Sequence, residues 1–211
     1  MQLQNALARN SRSDFIVESI QMVSGLLLVL FLWTHMLFVA AILLCVNAFN
    51  VLAHVMEQYG LVPIAVVFLI LVVGSHVGAV LRRIPGQWAE QRIVWRHAKL
   101  IHHKDTWSWL FQVVTGSALL LLVIIHVAVV SFAGISAKLS SGRVQGGFLV
   151  FYLVLLVLSE YHASVGLYRI FVKWSWLGRH SLGRVLGVIS FLTIALGAVT
   201  LWIFYTLGAQ A

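Results

Sequence analysis

Five stretches of this 211-residue chain are long and apolar enough to cross a bilayer as a helix, at about 22–48, 61–83, 107–135, 146–171 and 181–208. A hydrocarbon core about 30 Å thick takes roughly 20 apolar residues in a helix to span. No water reaches backbone N–H and C=O groups at that depth, so each stretch must satisfy them within itself. The expected fold is all-α: an integral membrane bundle of five transmembrane helices, forming a single domain over residues 1–211. Composition agrees, because 61% of residues are hydrophobic and 9% are charged, against about 25% charged in an ordinary soluble domain. Such a chain cannot clothe itself in a polar surface. Pro63 and Pro85 both fall close to predicted helix ends, where a missing N–H does little harm. The stretch from Met1 to Ile20 lacks the short apolar core and cleavage site of a signal peptide. It reads as an interfacial helix leading into the first span.

The net charge of +8 sits in the connections and gives no reason to expect nucleic acid. Arg82, Arg83, Arg92, Arg96, Lys99 and Lys104 lie between the second and third spans, and Arg169, Lys173, Arg179 and Arg184 flank the fourth and fifth. Arg9 and Arg12 add to the same side, while the other side has only Lys138 and Arg143. Positively charged connections stay on the inside, which predicts a cytoplasmic N-terminus and an outer C-terminus. The inner positives would meet anionic lipid or a partner protein. Cys45 is the only cysteine, so this chain offers no disulfide, thiolate zinc site or iron–sulfur cluster. No dinucleotide-binding fingerprint is present, so soluble redox chemistry would belong to another subunit.

Four of the apolar runs carry one histidine each, at His35, His76, His126 and His162. Ionisable side chains in a membrane are expensive and are functional candidates by default. Four, one per helix, read as the axial ligands of two b-type haems; the plainer reading is four separate helix-packing histidines. Depth sorts them into pairs. His76 lies seven residues before Arg83 and His162 seven before Arg169, each ~10 Å from the inner boundary at the helical rise. His35 and His126 sit past the midplane and form the remaining pair. Two haems stacked across the membrane would result, one proximal to the cytoplasm and one distal. Small residues accompany the histidines: Gly74, Ser75 and Gly78; Ala163, Ser164 and Gly166; Ser24 and Gly25 up-helix of His35. A flat macrocycle needs helices without bulk where it enters, although small residues also serve helix–helix contact in lipid.

WTHMLF (33–38), GSHVGAVLRR (74–83), IIHVAVV (124–130) and EYHASVGLYR (160–169) resemble, in order and spacing, the di-haem cytochrome b anchor of quinol:fumarate reductases. The same family holds related succinate:quinone reductases. The resemblance covers all five spans and implies a multi-pass protein of the bacterial cytoplasmic (inner) membrane. It implies two haems b, the distal on His35 and His126 and the proximal on His76 and His162, with menaquinol as substrate. It also implies an iron–sulfur subunit and a flavoprotein subunit on the cytoplasmic side, and leaves a dimer of complexes open. Electrons would leave menaquinol near the outer face, cross by the distal and then the proximal haem, and reach fumarate through the partners.

Glu57, in NVLAHVMEQYG just before the second span, has His54 one turn earlier on the same face. Oxidising a quinol releases protons, which a carboxylate can accept. The resemblance implies that role for Glu57; otherwise it is a solvated glutamate. Glu160 is two residues from His162 and so points ~200° around the helix from it. By resemblance it belongs to a transmembrane proton path; the alternative is a structural buried carboxyl. Haem propionates want cationic or hydrogen-bonding partners, for which Gln21, Trp109 and Lys173 sit at the inner boundary and Arg143 at the outer. Each is also a residue type that anchors span ends. His97, His102, His103 and His180 fall in the basic connections without a completed metal-ligand set, and Trp88, Trp95, Trp107, Trp109, Trp174 and Trp176 flank span ends as an interfacial belt does. The same fold run as a succinate:quinone reductase, a b-type anchor of another oxidoreductase, and a haem-free proton channel or transporter using the two glutamates are the competing expectations.

Overall fold

The computed structural model describes residues 11–82, 84, 88–101 and 104–209. Helix α1 (Ser11–Ala40) runs into a 3-10 turn at Ala41–Leu43 and is followed by α2 (Val46–Gln58) and α3 (Leu61–Leu81). Next come α4 (Trp88–Ile101), α5 (Lys104–Ala133), α6 (Ala137–Arg143), a π-helical segment (Val144–Phe148), α7 (Leu149–Lys173) and α8 (Arg179–Gly208). No strand occurs among the described residues. Five segments have the length and composition to cross a membrane: Arg12–Leu43, Leu61–Leu81, Thr106–Ala133, Ala137–Lys173 and Arg179–Gly208. This is a multi-pass membrane protein.

Two boundaries depart from the sequence expectation. The first span does not continue to residue 48: the helix opens at Leu44–Cys45, where Cys45 is extended (φ −176°, ψ 162°) and its Sγ accepts the Ala48 N–H at 3.3 Å. The cause is the polar content of the next dozen residues. Asn47, Asn50, His54 and Glu57 would have to enter hydrocarbon, whereas in the separate helix α2 only one face, with Phe49 and Ala53, is buried. At the other end, residues 11–20 form no separate interfacial helix but extend α1 in one piece. Residues 1–10 of that expected helix lie outside the described residues. The basic connection also contains α4, an amphipathic helix that the sequence reading left unassigned.

The fourth crossing is broken rather than straight. Gly147 adopts φ 111°, and the chain kinks there between α6 and α7. A side chain at that φ is strained, so a glycine is what lets the segment turn.

Helices α1, α3, α5 and α7 stand in a ring: α3 packs on α1, α1 on α7 and α7 on α5, while α3 and α5 touch least. Helix α8 lies outside the ring against α7 and α1. Val29, Ala163, Leu167, Leu182 and Leu186 make one core among α1, α7 and α8, and Ile42, Phe49, Ala137, Val144 and Phe204 close the opposite end. Leu37, Ile70, Leu71, Leu121 and Phe191 are exposed on the outside, the surface that acyl chains cover.

Gly197 marks a tight seam. A Cβ there would stand 2.7 Å from both Leu156 methyls and 2.9 Å from Met36 Cε. Gly197→Ala is expected to destabilise by about 1–3 kcal/mol through overpacking, with part of the loss recovered when Leu156→Ala is added. Thermal unfolding of detergent-solubilised single and double variants checks this; strictly additive losses would refute the contact.

Candidate functional site

The ring of four helices encloses a cavity of about 1300 Å³, above the roughly 300–1,000 Å³ of a single small-ligand pocket. It runs from Glu18, Gln21, Trp109 and Lys173 at the basic end to Ile135, Ser140 and Arg143 at the other. His35, His76, His126 and His162 all line it. Each comes from a different helix, because α1, α3, α5 and α7 each supply one.

Near the end opposite the basic one, the His35 and His126 rings face each other with centroids 5.9 Å apart and planes at 69°. Two imidazoles on opposite sides of one metal ion, each bonded at about 2 Å, would hold their centroids roughly 6 Å apart. Phe31 stacks on His35 at 5.7 Å, and Tyr152 meets the His126 ring edge-on at 5.6 Å. His76 and His162 line the same cavity, one from α3 and one from α7. No group of three or more His, Cys, Asp or Glu gathers among the described residues. Isolated pairs suit a metal whose remaining positions a planar macrocycle fills; a bare chelated ion needs more protein ligands.

The second pair is held from behind. His76 Nδ1 lies 3.1 Å from Ser24 Oγ, and His162 Nδ1 lies 3.1 Å from Thr115 Oγ1. Both hydroxyls spend their single proton on the backbone one turn earlier, Ser24 on the Ile20 carbonyl at 2.6 Å and Thr115 on the Phe111 carbonyl at 2.7 Å. Each can then only accept, so Nδ1 carries the proton and Nε2 keeps its lone pair. The next residue is glycine in both places. A Cβ at Gly116 would lie 2.9 Å from His162 Cε1, and one at Gly25 3.4 Å from His76 Cε1. Ser24 and Gly25 meet His76 on the neighbouring helix, and Gly25 also lines the cavity. Thr115–Gly116 is the same device, which sequence reasoning missed although the repeated hydroxyl–glycine pair was there to find. Gly74 and Gly78, expected to clear space around His76, are exposed and have nothing within 4 Å of a built Cβ.

Gln21, Trp109, Lys173 and Arg143 line the cavity. Lys173 pairs with Glu18 at 2.6 Å, a carboxylate that sequence reading overlooked. Arg143 donates to the Gly134 carbonyl at 3.0 Å and to Ser140 Oγ at 3.1 Å. Three buried polar atoms on cavity-lining residues have no protein partner: Gln112 Oε1, His126 Nδ1 and Arg143 Nε. Such atoms are costly unless something else satisfies them, and Arg143 Nε, a donor, fits a bound group that carries acceptor substituents.

The two glutamates stand outside the cavity lining. Glu57 is exposed in the last turn of α2, and its Oε1 accepts the Ile135 N–H at 3.2 Å. Arg143 holds the carbonyl of that same peptide unit, so carboxylate and guanidinium clamp it from both sides. Glu160 is fully buried. Its Oε2 accepts from Trp33 Nε1 at 3.3 Å and its Oε1 from Ser164 Oγ at 3.1 Å; Ser164 in turn bonds Ser190. It faces α1 and α8, on the side of α7 away from the cavity. His54 is exposed beside Glu57, and His97 and His180 are exposed in the basic connections; His102 and His103 lie outside the described residues.

Residues 89–201 match the family described as succinate dehydrogenase/fumarate reductase transmembrane subunit. Over 208 residues the chain is 30% identical to the fumarate reductase cytochrome b subunit of Helicobacter pylori, covering 92% of this chain and 82% of the relative. It is 30% identical over 227 residues to the protein of the same name from Wolinella succinogenes, covering 96% and 86%.

Glu160 yields a prediction independent of any ligand. Glu160→Ala leaves the Trp33 N–H without an acceptor in a dry interior, a loss of about 1–3 kcal/mol, whereas Glu160→Gln keeps an acceptor and costs less. Unfolding midpoints in detergent measure both; equal losses would mean the carboxyl holds nothing.

Proposed function

Because the chain belongs to the family of succinate dehydrogenase/fumarate reductase transmembrane subunits, we propose that it is the quinol-oxidising di-haem cytochrome b anchor of a fumarate reductase complex. The observation that carries the reading is the cavity between four helices, lined by one histidine from each, with the His35 and His126 rings meeting across it at 5.9 Å. Bound there, two haems b would supply one-electron carriers between a quinol site near one face and an iron–sulfur partner at the other. The N-terminus lies in the cytoplasm of a bacterial cell and the C-terminus outside, and the iron–sulfur and flavoprotein subunits dock on the basic side.

The chain's own residues have distinct tasks in this scheme. His35 with His126, and His76 with His162, each present a neutral imidazole nitrogen from opposite sides of the cavity. Gln21, Trp109 and Lys173 receive propionates at the basic rim, and Arg143 does so at the other. Its guanidinium is already half committed to the Gly134 carbonyl and keeps Nε free of protein partners. Menaquinol loses two electrons and two protons on becoming menaquinone. Glu57, exposed near this end, is the group that takes up proton from the quinol hydroxyl, releasing its hold on Ile135 to do so. The two electrons, with two protons taken up at the flavoprotein, convert fumarate to succinate. Glu160 serves as a proton carrier on the far side of α7. The relatives' names support the direction toward fumarate.

Two haems b per chain are expected by pyridine haemochrome assay of the purified complex. His126→Ala and His162→Ala should each lose one; unchanged content in both would sink the ligand assignment. Glu57→Gln should retain both haems yet slow menaquinol oxidation by about 10²-fold or more, the usual worth of a positioned base. Full activity in that variant would remove Glu57 from the quinol site.

A further inference from the structure

The two histidine pairs are anchored by different physics. Behind His76 and His162 stand hydroxyls, each part of a chain Nδ1–H···O–H···O=C that ends on a helix backbone. Behind His35 and His126 stand aromatic rings, and His126 Nδ1 has no protein partner at all. The hydroxyl arrangement is built twice from different helices: Ser24–Gly25 on α1 for His76, and Thr115–Gly116 on α5 for His162. In each, the hydroxyl residue fixes the ring nitrogen; at Gly116 a Cβ would also collide with the ring, while at Gly25 it would only touch it.

We propose that Ser24 and Thr115 are positioning residues that lower the reduction potential of the His76–His162 site, and that this sets it apart from the His35–His126 site. The inference rests on the proposal that these pairs hold haem iron. A ligand imidazole whose outer N–H donates a hydrogen bond becomes a stronger electron donor through its other nitrogen. Stronger donation favours the more positively charged, oxidised iron. Each hydroxyl is itself a donor to a carbonyl, and hydrogen bonds in such a chain polarise one another. The effect therefore exceeds that of a lone serine or threonine. His76 has a second acceptor in reach, the Gln21 backbone, so loss of Ser24 is partly covered. Among the described residues no backbone acceptor of this kind adjoins His162, and Thr115 carries the larger share.

The test is a potentiometric titration of the haems in the complex purified from membranes. The His126→Ala complex, which keeps only the His76–His162 haem, identifies which midpoint belongs to that site. Thr115→Val keeps the shape and removes the hydroxyl, and should raise that midpoint. The expected change is about tenfold in the oxidation equilibrium, about 59 mV for a one-electron couple. Ser24→Ala should raise it by less, and the other haem should not move in either variant. Thr115→Ser and Ser24→Thr restore a hydroxyl and should restore the wild-type value. If Thr115→Val loses that haem while Thr115→Ser keeps it, the hydroxyl is again the operative group; equal loss in both overturns the proposal. Haem-replete Thr115→Val with an unmoved midpoint also overturns it, while leaving the haem reading intact. A wild-type complex without haem would overturn that reading itself, and this inference with it.

Discussion

A neutral imidazole carries one N–H and one lone pair, and in the middle of a membrane neither can be left to water. Much of this bundle answers that demand. The lone pairs of His76 and His162 must point inward for any shared ligand, and their N–H groups are satisfied from the outer side by the helices they lean on. Ser24 and Thr115 do so only because their own protons are already bonded to carbonyls one turn back. That back-bonding is ordinarily a slight burden on a helix. Here it turns an ambiguous donor–acceptor into a pure acceptor, and so fixes which ring nitrogen faces the cavity. Gly116 obeys the same geometry, since a Cβ there would collide with the His162 ring, whereas one at Gly25 would only touch His76.

The end of the bundle away from the basic connections is organised around one peptide unit. The chain leaves α5 through Gly134, whose φ of 77° a larger residue would adopt only with strain. The peptide linking it to Ile135 is then gripped by Arg143 through the carbonyl and by Glu57 through the N–H. Asn50, two turns before Glu57 on α2, accepts the Ala137 N–H at 2.8 Å. Helix α2 is thus tied across the mouth of the ring by polar bonds and packed beneath by Phe49 against Phe204. The clamp places the residue assigned to quinol chemistry and the residue assigned to the outer rim on opposite sides of a single amide. A change in the charge of either is felt by the other through that amide's dipole.

Elements governed by length and hydropathy were legible in the sequence, and those governed by tertiary pairing were not. The five crossings, the four inward histidines and the direction of Glu160 away from His162 come from helical rise and turn angle alone, and the structure has the same arrangement. The first span's end was missed because Leu43, Leu44 and Cys45 continue the apolar run, while the decision to stop is made by Asn47 and Asn50 further on. The bond from Ser24 to His76 was not visible because the distance from His35 along the chain can be read from sequence and the distance across the ring cannot. Gly74 and Gly78 misled for the same reason: proximity to a histidine in sequence says nothing about which side of the helix has room. Glu18 escaped notice because an acidic residue near a span end is ordinary until Lys173 is known to stand beside it.

Helix α7 shows how one helix can serve two incompatible environments. His162 faces an apolar cavity large enough for extended ring systems; Glu160, two residues earlier, faces a closed contact with α1 and α8. Two positions along an α-helix differ by ~200°, so both side chains can sit at one depth without meeting. A carboxyl on the cavity side would bring a negative charge beside the histidines and would compete for their N–H groups. On the far side it has Trp33 and Ser164 as donors, and Ser190 extends the chain of hydroxyls into α8. Helix α8 carries no histidine ligand and stands outside the ring, so its contribution to this polar contact gives it a purpose beyond bulk. If protons cross the membrane in step with electrons, this division lets them do so behind the helix that holds the ligand rather than through the cavity itself.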